Sequence, residues 1–224
     1  MISMRLTRRL AAVSCGLALT ATLCAGTSTA DSARSSASET VAAAAAHGRS
    51  AMAGNLIRNG TFDAPTLPNK AKSRRDGDSV QGEMKGWEGI NPGGFDLLNA
   101  KLAAHPRGYQ AVDLGAEYSA DGGIEQDIRT EDGGSYTLSF EHSPDAWKRC
   151  KNQDTSFSVT VTDRTTGANM EQTLRAATAD GSAHWKSVEM QFSAGGTDSN
   201  VAFRGNGSSS CQAAITNVRV QQTG

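Results

Sequence analysis

Two stretches decide the fold of this sequence, and they stand at the two ends of its hydrophobic part. The first reads Asn55-Leu-Ile-Arg-Asn-Gly-Thr-Phe-Asp63, an apolar pair followed by the turn dipeptide Asn-Gly and an aromatic–acid pair. The second reads Cys211-Gln-Ala-Ala-Ile-Thr-Asn-Val-Arg-Val220 and alternates with the period of a β-strand. We expect these stretches to be the first and last strands of one fold, lying side by side.

The chain between them is typical of an all-β protein, because short alternating segments recur between turn residues. A parallel sheet would need crossover helices, and the one helical candidate, Leu97 to Ala104, is about two turns at most. Gln126 interrupts the apolar row of Ile124 and Ile128, so the facing of that strand stays open. We predict an antiparallel β-sandwich with jelly-roll connections. The predicted strands are 55–57, 108–114, 123–128, 135–141, 156–163, 170–176, 184–192, 200–204 and 215–220.

Residues 1–30 are typical of a secretory signal peptide. Arg5, Arg8 and Arg9 precede an uncharged apolar stretch, Leu10 to Gly26, and Ser28-Thr-Ala30 supplies small residues for cleavage after Ala30. The alternative is a membrane anchor, which this short stretch, rich in Ala, Thr and Ser, would form poorly. The arginine pair leaves Sec and twin-arginine export both open.

The remaining chain divides into a linker and one domain. Residues 31–54 are dense in Ala and Ser without a turn-bounded hydrophobic pattern, which indicates a disordered linker or a pro-segment. Residues 55–224 are the length of one domain and suffice for one hydrophobic core. We expect the mature protein outside the cell or at its wall, with no membrane attachment after cleavage.

Charge and cysteine usage exclude some classes of function. The net charge is −1, and the basic cluster Lys70 to Arg75 reads as a solvated loop, so a nucleic-acid partner has no electrostatic footprint. Once Cys15 and Cys24 leave with the signal peptide, Cys150 and Cys211 remain in an oxidising compartment. We predict a disulfide between them, and free or metal-binding thiols are the alternative.

The order of short motifs resembles the DUF642 family and related bacterial domains of galactose-binding-like fold. The resemblance covers 55–220 and implies an extracellular, non-catalytic module associated with cell walls and polysaccharide binding. The sequence departs from the family pattern at Cys211-Gln-Ala213, where a Cys-Gly-Pro step is usual, and at Asn217, where an acid is common. The motifs are 55–63, Gly86-Trp87, Gly108-Tyr-Gln-Ala-Val-Asp-Leu114, Gly123-Ile-Glu-Gln-Asp-Ile128, Gly134-Ser-Tyr-Thr-Leu-Ser-Phe140, Asp145-Ala146 with Cys150, Trp185 with Phe192-Ser-Ala194, and Cys211 with Ile215-Thr-Asn-Val218.

The resemblance also implies a calcium site. Related sandwich modules hold a structural calcium between the first and last strands, and calcium takes oxygen ligands from carboxylates, amides and carbonyls. Asp63 and Asn217 are the side chains that would supply a carboxylate and an amide oxygen. The alternative is that both cap turns through hydrogen bonds to the backbone.

Sugar binding requires an aromatic ring beside hydrogen-bonding groups, since the ring covers the apolar face of a sugar and the polar groups bind its hydroxyls. The candidates are Trp87, Tyr109, Tyr118 and Trp147. Trp147 lies in a polar loop beside Cys150, where it is either exposed and held by the disulfide or packed beneath the loop. For Trp87 we expect half-buried packing.

Catalysis has little support, because the sequence holds no Gly-x-Ser-x-Gly elbow and no His-Glu-x-x-His pair. The leading hypothesis is a secreted, non-catalytic module that binds carbohydrate or cell-wall polysaccharide. The alternative is a protein–protein interaction module, a partner or inhibitor of a secreted hydrolase, that uses the Lys70 to Arg75 and Trp147 loops. A small secreted hydrolase is a third class.

Overall fold

A computed structural model gives the fold of residues 54–68, 84–90, 94–115, 122–207 and 209–224. The predicted signal peptide, the predicted linker except Gly54, the Lys70 to Arg75 loop and Tyr118 lie outside these residues. Among the residues that the structure describes, no helix is long and apolar enough to cross a membrane.

Almost all regular structure in these ranges is β-strand. The strands are β1 Glu88–Gly89, β2 Asp96–Leu98, β3 Ala111–Asp113, β4 Gly123–Arg129, β5 Ser135–Pro144, β6 Asp154–Asp163, β7 Asn169–Thr178, β8 Lys186–Ser193, β9 Asp198–Gly205 and β10 Ala213–Gln222, with a short helix α1 Ala100–Ala103 and a 3-10 turn Lys148–Cys150.

The strands of the described residues form two five-stranded sheets. Sheet 1 has the order β1-β4-β9-β6-β7, and sheet 2 has the order β2-β3-β10-β5-β8. Every strand pairs antiparallel with its neighbours. From β4 onward the chain passes to the other sheet after each strand, except at the β6–β7 hairpin. The predicted all-β antiparallel sandwich with jelly-roll connections is therefore confirmed.

Alternating side chains from both sheets fill the space between them. Phe140 from sheet 2 meets Phe203 and Phe157 from sheet 1 in edge-on contacts, with ring centroids 5.0 and 6.2 Å apart. Each ring is buried, and burying one such side chain is worth roughly 1.5–3 kcal/mol. Gln126 also points inward, because its Oε1 accepts from Arg58 N at 2.7 Å and its Nε2 donates to Arg58 O at 3.0 Å.

The two ends of the domain lie side by side, as the sequence predicts. Leu56 N donates to Val220 O and Val218 N donates to Gly60 O, both at 2.9 Å. A Cβ on Gly60 would lie 2.0 Å from Val218 O, so glycine is required for this approach. The predicted strand at 55–57 is wrong, since none of these residues is in a strand and Leu56 and Ile57 form bends. The Asn55 side chain replaces ladder contacts there, accepting from Val220 N at 2.9 Å.

The predicted helix begins later than its sequence pattern indicates. Leu97 and Leu98 belong to β2, and only Ala100–Ala103 are helical. Asn99 caps the helix, because its Oδ1 accepts from Leu102 N at 2.9 Å, a role that asparagine fills well. This one-turn helix carries the chain onto the outer face of sheet 2, where the next loop, 104–110, begins.

The predicted disulfide is confirmed. Cys150 and Cys211 are bonded, with Cα atoms 5.5 Å apart and a sequence separation of 61 residues. The bond joins the loop after β5 to the loop before β10, at one end of the sandwich.

Candidate functional site

Trp87 is a core residue, so its assignment as a sugar-binding ring is wrong. Its side chain is 3 % exposed and packs against Phe62 and Phe203, with centroids 5.6 and 6.2 Å away. Its Nε1 donates to Asn59 O at 3.2 Å. The Asn-Gly turn thus supplies the polar partner that a buried indole needs, and the ring faces the space between the sheets rather than a ligand.

Trp147 combines the two alternatives that its sequence position left open. The ring is half-buried and packs against Cys150, Ala179 and Cys211. The Arg149 guanidinium lies over it, 3.5 Å from the ring centroid, and donates through Nη2 to Ser210 Oγ at 3.1 Å. The disulfide does hold this ring, but a cation covers it.

The disulfide excludes a metal site built on cysteine thiolates. Asp145, Cys150 and Cys211 lie close enough together to hold an ion. Because the two sulfurs are bonded to each other, neither is available as a thiolate ligand.

Tyr109 lies in a network that we call the Glu141 cluster, made of His105, Arg107, Tyr109, Glu141 and Asn217. Glu141 is on β5, where burial alternates and puts it on the outer face of sheet 2. Its Oε1 accepts from Arg107 Nη2 at 2.6 Å. Its Oε2 is 3.0 Å from His105 Nε2 and accepts from Asn217 Nδ2 at 3.2 Å.

Aromatic rings border the cluster. The Tyr109 ring is half-buried and stacks on the His105 imidazole, with centroids 4.9 Å apart and an interplanar angle of 14°. The Trp185 ring meets the same imidazole edge-on at 5.0 Å. The Arg107 guanidinium lies 5.1 Å from the Tyr109 centroid. These contacts seat the 104–110 loop on sheet 2 and place Tyr109 beside the charged groups.

A shallow groove of about 160 Å³ continues from the cluster along the outer face of sheet 2. Arg219 Nε donates to Asn217 Oδ1 at 3.2 Å, so the two β10 side chains are linked. Groups that donate and groups that accept hydrogen bonds lie close together in the groove. The polar side chains that line it are Arg107, Ser139, Glu141, Ser187, Glu189, Asn217 and Arg219.

The predicted calcium ligands have separate partners. Asp63 is exposed, and its Oδ2 accepts from Thr61 Oγ1 at 2.7 Å. Asn217 has φ 53° at the β10 bulge, a left-handed conformation that asparagine tolerates better than most residues. Its amide oxygen, the atom that would ligate calcium, already accepts from the Arg219 guanidinium. These contacts do not favour a shared calcium, and the site stays a prediction.

A larger groove of about 400 Å³ lies on sheet 1. Its charges are partly paired with one another: Asp127 Oδ1 accepts from Asn200 Nδ2 at 2.9 Å and from the Arg164 guanidinium at 3.1 Å. These hydrogen bonds, of which the bond from Asn200 has the largest effect, hold the pKa of Asp127 below its ordinary value. Trp87 is the only aromatic among the described residues that line this groove, and it is buried. The Glu141 cluster is therefore the better candidate.

The sequence predicted Tyr109 as a sugar-binding ring and Asn217 as a calcium ligand, but it did not predict the residues that join them, His105, Arg107 and Glu141. The one available signal was Glu141, an acid at an outward position of a strand whose inward positions are all large and apolar up to Phe140. Such a position reads as ordinary solvated surface. Tyr118 lies outside the described residues, so its assignment stays a prediction.

Comparisons with known proteins identify the domain. A family model described as "Protein of unknown function (DUF642)" matches residues 55–221, more than half of the chain. No curated protein matches the sequence.

Solved structures of carbohydrate-binding modules are similar. One is TmCBM61 in complex with β-1,4-galactotriose, 13 % identical with a TM-score of 0.48, covering 76 % of this chain and 100 % of that one. Another is a family 16 carbohydrate-binding module, 16 % identical with a TM-score of 0.48, covering 74 % and 99 %. A third is the CBM22-1 xylan-binding domain of Xyn10C from Paenibacillus barcinonensis, 13 % identical with a TM-score of 0.47, covering 63 % and 88 %. Galactotriose and xylan are named for those neighbouring proteins and are not assigned to this chain.

Proposed function

This chain belongs to the DUF642 family, and we propose that it is a secreted, non-catalytic module that binds carbohydrate or cell-wall polysaccharide through the Glu141 cluster. The supporting observation is a groove in which donors and acceptors lie close together, lined in part by Arg107, whose guanidinium also contacts the Tyr109 ring. Sugar hydroxyls both donate and accept, so a site of this composition matches them better than a site of one charge. Arginine adds paired N–H donors in a fixed geometry.

The geometry favours binding over catalysis. Glu141 accepts hydrogen bonds from the Arg107 guanidinium and the Asn217 amide, which keep its oxygens engaged as acceptors. A glycosidase needs one carboxylic acid poised to give a proton to the leaving group and a second carboxylate across the sugar. Glu141 instead holds neighbouring side chains in place, which is the role of a carboxylate in a binding site.

A binding assay with matched variants tests this proposal. The purified mature protein is mixed with insoluble plant, fungal and bacterial wall polysaccharides, and the bound fraction is measured. We expect Tyr109→Ala, Glu141→Gln and Arg219→Ala each to weaken binding about tenfold, as loss of a charged hydrogen bond or a stacked ring does. The controls are Arg204→Ala and Glu171→Gln, because both residues are exposed on sheet 1.

The controls should bind like the unmodified protein. Binding that is lost equally in controls and cluster variants would place the glycan elsewhere, and no binding to any polysaccharide would overturn the proposal. Amino-terminal sequencing of the exported protein tests secretion directly, since we expect the mature chain to begin after Ala30.

A calcium site is a separate part of the proposal, with Asp63 and Asn217 as its ligands. If calcium is bound, it raises the thermal midpoint of the unmodified protein by mass action and does not do so in Asp63→Asn. Equal midpoints with calcium and with a chelator would remove calcium from the account. This measurement does not depend on finding the glycan.

A protein partner is the second candidate, because tryptophan and arginine are the residue types that dominate protein interfaces. Arg149 over the half-buried Trp147 presents both at the disulfide-bonded end of the sandwich. Recovery of one dominant hydrolase from culture supernatant, lost with Trp147→Ala and kept with Tyr109→Ala, would favour this candidate over a glycan.

A further inference from the structure

His105 is the buried member of the Glu141 cluster, and both of its ring nitrogens are in use. Its side chain is 2 % exposed. Nδ1 accepts from Arg107 N at 3.1 Å, and Nε2 lies 3.0 Å from Glu141 Oε2. The imidazole thus joins the 104–110 loop to sheet 2 through one bond on each side of the ring.

These partners determine which nitrogen carries the proton. A backbone N–H only donates, so Nδ1 must be the bare nitrogen that accepts from Arg107. The ring hydrogen is therefore on Nε2, where it donates to the Glu141 carboxylate. The neutral ring with hydrogen on Nε2 satisfies both contacts, and no other neutral tautomer does.

A second proton on the ring breaks this arrangement. It would sit on Nδ1 and point at the Arg107 N–H, so that two donors would face each other. The charged groups that contact the ring are Glu141 from β5, which favours the imidazolium, and Arg107, which opposes it. Burial is the larger influence and lowers the pKa of His105 below its ordinary value of about 6.5. Tyr109 and Trp185 contribute uncharged ring contacts.

The bond that would be lost belongs to the turn that positions the binding groups. Gly108 N donates to His105 O at 2.9 Å, which closes the turn containing Arg107. Tyr109 follows this turn directly and stacks on the same imidazole. When the Arg107 N–H loses its acceptor, both the guanidinium on Glu141 and the tyrosine ring lose the support that fixes them.

We propose that His105 is the positioning residue of the Glu141 cluster, so that the neutral ring holds Arg107 and Tyr109 ready for the glycan and acidification releases them. This inference rests on the proposed function. It predicts a module that binds its polysaccharide near neutral pH and releases it in acid, because Arg107 and Tyr109 lose their fixed positions although neither side chain changes its own charge.

Two substitutions test the two hydrogen bonds of the His105 imidazole separately. His105→Asn keeps an acceptor near the position of Nδ1 and cannot donate to Glu141. His105→Gln keeps a donor near the position of Nε2 and offers no acceptor to Arg107. His184→Gln is the matched control, because His184 is exposed and bonds to Asp180 away from the cluster.

The measurements are polysaccharide affinity and the amide NMR shift of Arg107, each between pH 7.5 and 5. We expect the unmodified protein and His184→Gln to bind about tenfold more weakly at pH 5, with the Arg107 amide moving in step with the His105 ring. His105→Asn should bind with little pH dependence. His105→Gln should be weak at every pH, since it resembles the protonated state.

Each result decides one question. If His105→Asn keeps the full pH dependence, or if the Arg107 amide ignores the titration of the ring, the inference is overturned. A purely structural role would lower the thermal midpoint in both variants and leave the pH profile unchanged, which also overturns it. If no glycan binds at any pH while Arg107 still follows His105, the proposed function fails and the positioning by His105 is supported.

Discussion

Two loops of this domain place an arginine over an aromatic ring, and they are held by different chemistry. In the first, the Arg149 guanidinium lies 3.5 Å from the centroid of Trp147, beside the Cys150–Cys211 bond. In the second, the Arg107 guanidinium lies 5.1 Å from the centroid of Tyr109 and bonds to Glu141. We call these the disulfide loop and the histidine loop.

The difference determines what each loop responds to. A covalent bond between distant residues acts chiefly by limiting the unfolded chain, so it responds to reductant and not to pH. The histidine loop is held by hydrogen bonds to an imidazole, and an imidazole changes charge near physiological pH. An arginine–aromatic pair is therefore fixed independently of pH in the disulfide loop, whereas in the histidine loop its position depends on the protonation of an imidazole.

We expect the largest effect from removing the Cys150–Cys211 disulfide. The double substitution Cys150→Ala with Cys211→Ala reopens a loop with a sequence separation of 61, which costs about 4 kcal/mol in the chain-entropy model. Chemical denaturation should show this loss, and glycan binding by the histidine loop should survive in the folded fraction. Reductant should destabilise the unmodified protein and leave the double variant unaffected. If the folded double variant no longer binds glycan, the two loops are not held independently.

We expect an intermediate effect from a second buried histidine, His142. His142 lies between the sheets, and its Nδ1 has no hydrogen-bond partner among the described residues. Burial, followed by the charge of Lys186, lowers the pKa of His142. Below pH 6.5 the unfolded state takes up the proton and the folded state does not, so the unfolding free energy falls as the pH falls.

The expected slope is up to about 1.4 kcal/mol per pH unit for each such histidine, until the lowered pKa is reached. His142→Phe should remove its share, because Phe140 and Phe157 already surround the ring with aromatic contacts. Denaturation at pH 7.5, 6 and 5 measures the slope. The slope that remains includes the share of His105, and an unchanged slope in His142→Phe would contradict the assignment to His142.

The smallest effect compares the two cations directly. Arg149→Ala removes a guanidinium from the Trp147 ring and should cost about 0.5–1 kcal/mol, the value of an exposed cation–π contact. Arg107→Ala removes a weaker ring contact and also a bond to the Glu141 carboxylate, so it should cost somewhat more. Thermal unfolding of the two variants gives the order. A larger loss in Arg149→Ala would show that the contacts of Arg149 with Trp147 and Ser210 together outweigh the carboxylate bond of Arg107.

The fold was easier to predict from the sequence than the site. Alternating patterns predicted eight strands close to where they lie, since a strand with one buried face must repeat every two residues. The pattern failed where side chains replace backbone contacts. Asn55 takes ladder positions next to Val220, so its segment is not a strand, and Gln126 is buried by bonding to Arg58.

The site was harder to predict because its members lie far apart in the sequence. His105 and Glu141 are separated by 36 residues, and Glu141 and Asn217 by 76. In a period-two pattern every outward residue looks alike, so nothing local distinguishes Glu141 from Ser139. Trp87 shows the opposite error, since we expected a half-buried ring and a sugar-binding role, whereas its neighbours Phe62 and Phe203 bury it.

The sequence alone was enough to predict the sandwich, the meeting of the domain's two ends and the disulfide, because these follow from alternation, from the paired end motifs and from a single remaining cysteine pair. Only the tertiary structure decided which rings face solvent and which charges meet. Burial and hydrogen bonding depend on partners that only the folded chain brings into contact. Tyr109 and Trp147 each have an arginine of their own loop as partner, and that loop is fixed by an imidazole in one case and by a disulfide in the other.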